Sequence, residues 1–319
     1  MALNINKFNP KVIEQRRLTK GPPTCIFIGK RGSGKSTLVA DILYHCRRIP
    51  MGLVISATEE GNHFYQQHVP EIFIHSDYQP SLLEGVITRQ KKALREAKEN
   101  SDVFVLLDDC MYDKKMIRDK NVRGMFMNGR HWRTLFLLTT QYCMDLPPDL
   151  RANLDFIFVL RENIIQNQQK LYNNFFGLFP SFNDFKEVLN ACTEGYDCLV
   201  LDNTSRSNKI EDCVFWYSAK ADRKFRIGHP DIWKYNKKFL NDDFAALPTP
   251  PTSKKKSSMK VTKIKTKKAE AKETKETKET KETKETKETK ETKETKETKE
   301  GKEPKEAKET KKTKKKQKK

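Results

Sequence analysis

The chain has 319 residues, with 63 Lys and Arg against 43 Asp and Glu and 36% apolar residues. That length holds one large domain or two, with a proper core. The net charge of +20 suggests a polyanion binder, but 28 Lys and 14 Glu fall in residues 252–319, which leaves only +6 on residues 1–251. Seven cysteines at 25, 46, 110, 143, 192, 198 and 213, with no C-x-x-C and no ligand-like histidine spacing, exclude a disulfide framework or zinc site and fit a reducing compartment. The N-terminus lacks an apolar core like that of a signal peptide, and no apolar run approaches a membrane span. The expectation is a soluble, unsecreted protein without membrane insertion.

In chain order, an N-terminal segment (1–20) precedes an α/β domain (21–247). Its strand-like runs are Thr24–Ile28, Gly52–Ala57, Ile72–Ile74, Val103–Leu107, Leu135–Thr139 and Phe156–Leu160. Helical patterns at Ser36–Cys46, Ser81–Lys98 and Lys115–Asn128 lie between them. Strands separated by helices imply βαβ units and a mainly parallel, twisted sheet covered on both faces. Its ligand belongs at the carboxyl ends of the strands. From about residue 162 a helix-and-hairpin extension completes the domain. It comprises helices at Ile164–Phe176 and Phe182–Cys192, then "YDCLVLDN" and "CVFWYSA" paired across a polar connection.

After the first strand, "GKRGSGKST" fits the phosphate-loop pattern G-x-x-x-x-G-K-[ST]. Gly29, Lys30, Arg31, Gly32, Ser33, Gly34, Lys35, Ser36 and Thr37 are the expected nucleotide-binding residues. Glycines let successive backbone N–H groups turn inward around phosphate oxygens, and the following helix adds its positive end. Lys35 would reach the β- and γ-phosphates of ATP, and the Ser36 hydroxyl would hold Mg²⁺. "VFVLLDDC" is apolar throughout and ends in two carboxylates, which are costly at a buried strand end unless something cationic sits there. Asp108 is placed for the Mg²⁺ shell, and Asp109 to orient or deprotonate the attacking water. Gln141 closes the run "LFLLTTQ" at the same sheet edge, where it would sense the γ-phosphate or position water. Arg130 precedes that strand at its far end, so as a charge-neutralising finger it would serve a neighbouring subunit. Arg133 and Arg151 are its rivals.

The order phosphate loop, "LLDDC", "NGRHW", "LLTTQY" and "LPPDLRANLDFIFVLREN" resembles the genome-packaging ATPases of large nucleocytoplasmic DNA viruses, a branch of the FtsK–HerA P-loop NTPases. The resemblance covers roughly residues 20 to 220. It implies a RecA-like core, ATP hydrolysis, a homo-oligomeric ring and double-stranded DNA threaded through its pore. It further implies capsid or portal partners, and residence in the viral factory of the host cytoplasm or in the virion. By position it carries over the nucleotide roles to Lys35 and Ser36 and the metal-site acid to Asp108. It likewise carries the catalytic acid to Asp109, the sensor to Gln141 and the trans-acting arginine to Arg130. The wider superfamily usually has Glu where Asp109 stands, one methylene longer. A nucleotide kinase, a GTPase or a non-catalytic DNA-binding protein on the same fold are the alternatives; N-K-x-D for guanine is missing. The tail (248–319), with nine consecutive Lys-Glu-Thr triplets over 272–298, has almost nothing apolar to bury and is expected to be disordered. It reads as a solubilising appendage or an electrostatic tether to DNA.

Overall fold

The computed structural model describes residues 4–110, 115–142 and 146–246, with side chains as far as Lys238. The Lys-Glu-Thr tail and Cys143 lie outside the described residues. Strands that are apolar at odd and even positions alike need cover on both faces. Here Thr24–Ile28 (β2), Met51–Ser56 (β3), Val103–Asp108 (β5), Thr134–Thr140 (β6) and Phe156–Val159 (β7) are buried along almost their whole length. The two-residue strands Asn6–Lys7 (β1) and Ile74–His75 (β4), with Asp197–Asp202 (β8) and Val214–Ser218 (β9), complete a nine-stranded sheet. Its order is β1-β9-β8-β7-β2-β6-β5-β3-β4. All pairings from β7 to β4 are parallel; β8 runs antiparallel to β7 and β9, as the expected hairpin requires.

One face is packed by Lys11–Thr19 (α1) and Lys35–His45 (α2), which bury Ile13, Leu38, Val39, Ile42 and Leu43 against alternate strand residues such as Phe27, Phe104 and Phe158. After the short turn Glu59–Asn62 (α3), helices Pro80–Arg95 (α4) and Lys120–Asn128 (α5) cover the opposite face, packing on Ile26, Val105 and Phe136. The turn Pro148–Arg151 (α6) leads into β7, and Ile165–Phe175 (α7) and Phe182–Cys192 (α8) extend that second layer. Ile210–Cys213 (α9) and Pro230–Ala246 (α10) flank β9 in sequence. Residues 4–20 join the same body: Asn6 and Lys7 pair with Phe215 and Trp216, and Phe8 is buried.

Two expected elements differ. The strand expected at Ile72–Ile74 is mostly a 3-10 turn, Glu71–Phe73, and the strand begins at Ile74. Pro70 starts that turn by offering its carbonyl to the Phe73 N–H, 2.9 Å away. The helix expected over Lys115–Asn128 is broken at Asp119. Its carboxylate accepts from the N–H groups of Asn121 and Val122 as an N-cap, so α5 starts only at Lys120.

At the amino-terminal edge of the sheet, Asp102 is fully buried and holds both Arg17 and Arg133; Arg17 is also clasped by Glu14. Nearer the middle, Gly52 stands in register opposite Phe104, whose ring lies so close that a Cβ on Gly52 would come within 1.8 Å of it. The ring cannot yield, because it sits in the packed layer under α2. We therefore expect Gly52→Ala to destabilise the domain by at least the roughly 1–3 kcal/mol of an overpacked core, read as a lower urea midpoint. A midpoint equal to wild type would show that Phe104 has room to move.

Candidate active site

The carboxyl edge of the parallel sheet collects the chemistry. Strand β2 delivers the chain to residues 29–34 and α2 starts immediately after. Gly32 and Gly34 have φ of +76° and +94°, a conformation that glycine adopts freely. Gly29 is needed for closeness, since a Cβ there would lie 2.7 Å from Ser33 Oγ and 3.0 Å from Leu160 Cβ. Lys30 and Arg31 are exposed, Arg31 at the rim of the cleft beside the loop, while Lys35 is only 5% exposed. Its ammonium donates to the carbonyls of Gly29 (2.9 Å) and Lys30 (3.3 Å), folded over the loop it would leave for a phosphate.

Between β2 and β5 the sheet interposes β6. Asp108, at the end of β5, is 2% exposed and is held by hydroxyls from several elements. Thr139 Oγ1 of β6 donates to its Oδ1 at 2.7 Å and Tyr65 Oη to its Oδ2 at 3.0 Å. Ser56 Oγ of β3 and Ser36 Oγ of α2 each lie 3.4 Å from Oδ2. Burial pushes the Asp108 carboxyl above its ordinary range, and the neighbouring Asp109 charge adds to this; the Thr139 and Tyr65 hydrogen bonds and the Lys35 ammonium oppose it. A Ser hydroxyl beside a buried carboxylate is an oxygen donor set that suits a hard divalent cation retaining several waters. Ser36 and Asp108 are the two groups that would hold Mg²⁺.

Asp109 adopts φ +51°, a left-handed conformation that costs a non-glycine residue about 1 kcal/mol. Its N–H donates to Thr139 Oγ1 at 2.9 Å, so this one hydroxyl fixes both aspartates. Asp109 Oδ1 lies 3.6 Å from Lys35 Nζ, attracted but too far to be hydrogen-bonded, and is buried with no hydrogen-bond partner. An orphaned anionic oxygen on a residue that lines a cleft fits a site that receives a donor such as water. The cleft, about 1190 Å³, is bounded by Lys35, Ser36, Thr37, Asp109, Phe64 and Tyr196.

Gln141 follows the end of β6, exposed and not among the residues lining the cleft. Arg130 lies at the other edge of the sheet, beside Arg16, Lys20 and Arg206 around a separate cleft of about 360 Å³. Its side chain is exposed, whereas Arg133 is tied to Asp102 and Arg151 lies 6.0 Å from the Phe175 ring centre. Thr139, Tyr65, Ser56 and the segment Thr58–Phe64 escaped the sequence reading. Thr139 stands two places before Gln141, on the same face of β6, and that parity was its available signal. Tyr65 had none, being a lone aromatic in an aperiodic stretch.

Among known proteins, the chain is 38% identical over 251 residues to the uncharacterized protein L437 of Acanthamoeba polyphaga mimivirus, covering 76% of this chain and 88% of that one. It is 40% identical over 219 residues to the uncharacterized protein 015R of Frog virus 3, covering 67% and 68%. The genome packaging NTPase B204 from Sulfolobus turreted icosahedral virus 2, solved in complex with AMP, superposes with a TM-score of 0.47 at 12% identity, over 62% of this chain and 98% of B204. Residues 11–174 match the family described as Poxvirus A32 protein. With half of its length under that family's pattern and relatives of this identity, the chain belongs to the Poxvirus A32 protein family, the poxvirus-type packaging ATPases that its motifs resemble.

Proposed function

We propose that the protein is an ATP-hydrolysing motor that moves double-stranded DNA, packaging a viral genome into its capsid. The observation that carries the reading is the meeting of Lys35, Ser36, Asp108 and Asp109 at one sheet edge. Loop amides and Lys35 bind the β- and γ-phosphates. Ser36 and Asp108 would hold Mg²⁺, which when bound would supply charge neutralisation for the phosphates. Asp109, which lines the cleft and keeps one oxygen without a hydrogen-bond partner, orients the attacking water and takes its proton. Gln141, one residue past β6 and outside the cleft lining, would serve as γ-phosphate sensor only by turning its amide into the cleft. Working as a ring around DNA, each subunit presents Arg130 to its neighbour's nucleotide, and the ring docks on capsid or portal components in the viral factory or virion.

Lys35→Ala should abolish ATP binding, because the buried ammonium that meets the phosphates is gone. Asp109→Asn should bind ATP and fail to hydrolyse it; equilibrium binding with a phosphate-release assay separates the two. An Asp109→Asn protein with wild-type turnover would remove Asp109 from the role of base.

Thr139→Val keeps the shape of β6 and deletes the hydroxyl shared by the two aspartates. A lost hydrogen bond to a charged group costs about 1–3 kcal/mol, so kcat should fall roughly tenfold or more while ATP still binds. Unchanged kcat would mean that backbone geometry alone fixes Asp108 and Asp109.

Arg130→Ala should bind ATP and lose on the order of 10³ to 10⁵ in hydrolysis, the usual weight of a charge-stabilising arginine in phosphoryl transfer. Mixing it with excess Lys35→Ala subunits should restore part of the activity, since one lends its arginine and the other its nucleotide site. Mixed rings, verified by tagging one partner, that stay as inactive as either parent would pass the role to another arginine.

A further inference from the structure

The cleft extends beyond what the phosphates and the aspartates occupy. Besides the phosphate loop and Asp109 it is lined by Tyr196, Ala219 and Ala221 from much later in the chain. Tyr196 is 72% exposed, among the most exposed large hydrophobic side chains. It stands in a tight turn, where Gly195 has φ +61° and the Asp197 N–H closes on the Glu194 carbonyl at 3.1 Å. The ring leans over the phosphate loop at the start of α2: a Cβ on Gly34 would lie 3.1 Å from Tyr196 Cδ1.

The segment beside Tyr196, just past the Asp197–Ser218 pair of β8 and β9, is fixed in advance. Asp41 of α2, fully buried, accepts from the Tyr217 hydroxyl, from the Lys220 N–H at 3.2 Å and from Arg223 Nε at 2.6 Å. Three donors on one buried carboxylate hold Ala219 and Ala221 in place without a side chain of their own filling the gap. An exposed aromatic face beside two small apolar residues, next to the end of the phosphate loop, suits a flat heterocycle.

We propose that Tyr196 is the base-stacking residue of the nucleotide site, offering its ring face to a purine beside the phosphate loop. The direction follows from the chemistry at the other end. Ser36 lies against Asp108 and Lys35 against Asp109, so the terminal phosphates point toward β5 and the base toward β8 and β9. The proposal rests on the nucleotide reading of the phosphate loop. Stacking depends on the ring and not on the hydroxyl, so it tolerates Phe and not Ala.

The test uses the full chain with Mg²⁺ and titrates a non-hydrolysable ATP analogue and inorganic tripolyphosphate by calorimetry. Tyr196→Ala should weaken the ATP analogue about tenfold, within the range of one aromatic–base stack, and leave tripolyphosphate unchanged. Tyr196→Phe should bind the analogue as wild type does. Equal weakening of both ligands, an unchanged affinity for the analogue, or a Phe variant as weak as the Ala variant would each overturn the stacking role. A wild-type chain that binds tripolyphosphate and the analogue equally well would overturn it too, with the phosphate site intact. Wild type binding neither ligand would instead overturn the nucleotide reading, and the stacking with it.

Discussion

An ionisable carboxyl at the end of an apolar strand, almost out of reach of water, is the constraint around which this edge of the protein is arranged. Asp108 is tolerable there because hydroxyls from α2, from β3, from β6 and from the turn after α3 all turn toward it. Those four elements are distant in sequence and meet only because the sheet places β6 between β2 and β5 and β3 on the other side of β5. The strand order is thus what brings the phosphate loop within reach of the acid. Any rearrangement that moved one of these strands would leave a buried charge short of donors, at a cost of several kcal/mol.

The parts legible in the sequence are those that repeat a period or a fixed spacing. β2, β5, β6 and β7 are continuous apolar runs, and α2, α7 and α8 carry apolar residues at helical spacing, so their bounds agree with expectation to within a residue or two. Lys35, Ser36, Asp108 and Asp109 stood out because glycines and charges at strand ends have few other uses. What stayed hidden depends on single contacts. Asp119 looks like an ordinary residue of a helical stretch until its carboxylate is seen capping two N–H groups. Tyr65 lies 43 positions from the acid that it touches, in a segment without alternation. Attention to the residue just past β6 favoured Gln141, whereas the contact made is that of Thr139, two places earlier and buried.

The amino-terminal edge of the sheet handles arginine in two ways. Arg17 and Arg133 are spent on a structural acid, Asp102, where removing either side would strand charge in a dry place. Arg130 shares that edge but keeps its guanidinium in solvent near Arg16, Lys20 and Arg206. Arg16 at that cleft is paired with Asp155, 2.5 Å away, and the four cations around the cleft outnumber this one acid, so this corner is only partly neutralised.

The strands at the two ends of the sheet, β1 and β4, are each only two residues long. A long bare outer strand offers a ladder of unpaired amides on which another molecule can grow, and crowding many copies together would favour such growth. Among the described residues each rim offers almost no ladder for another strand. In the ring proposed above, contacts between subunits would fall to side chains, which can be loosened and remade without unzipping a sheet.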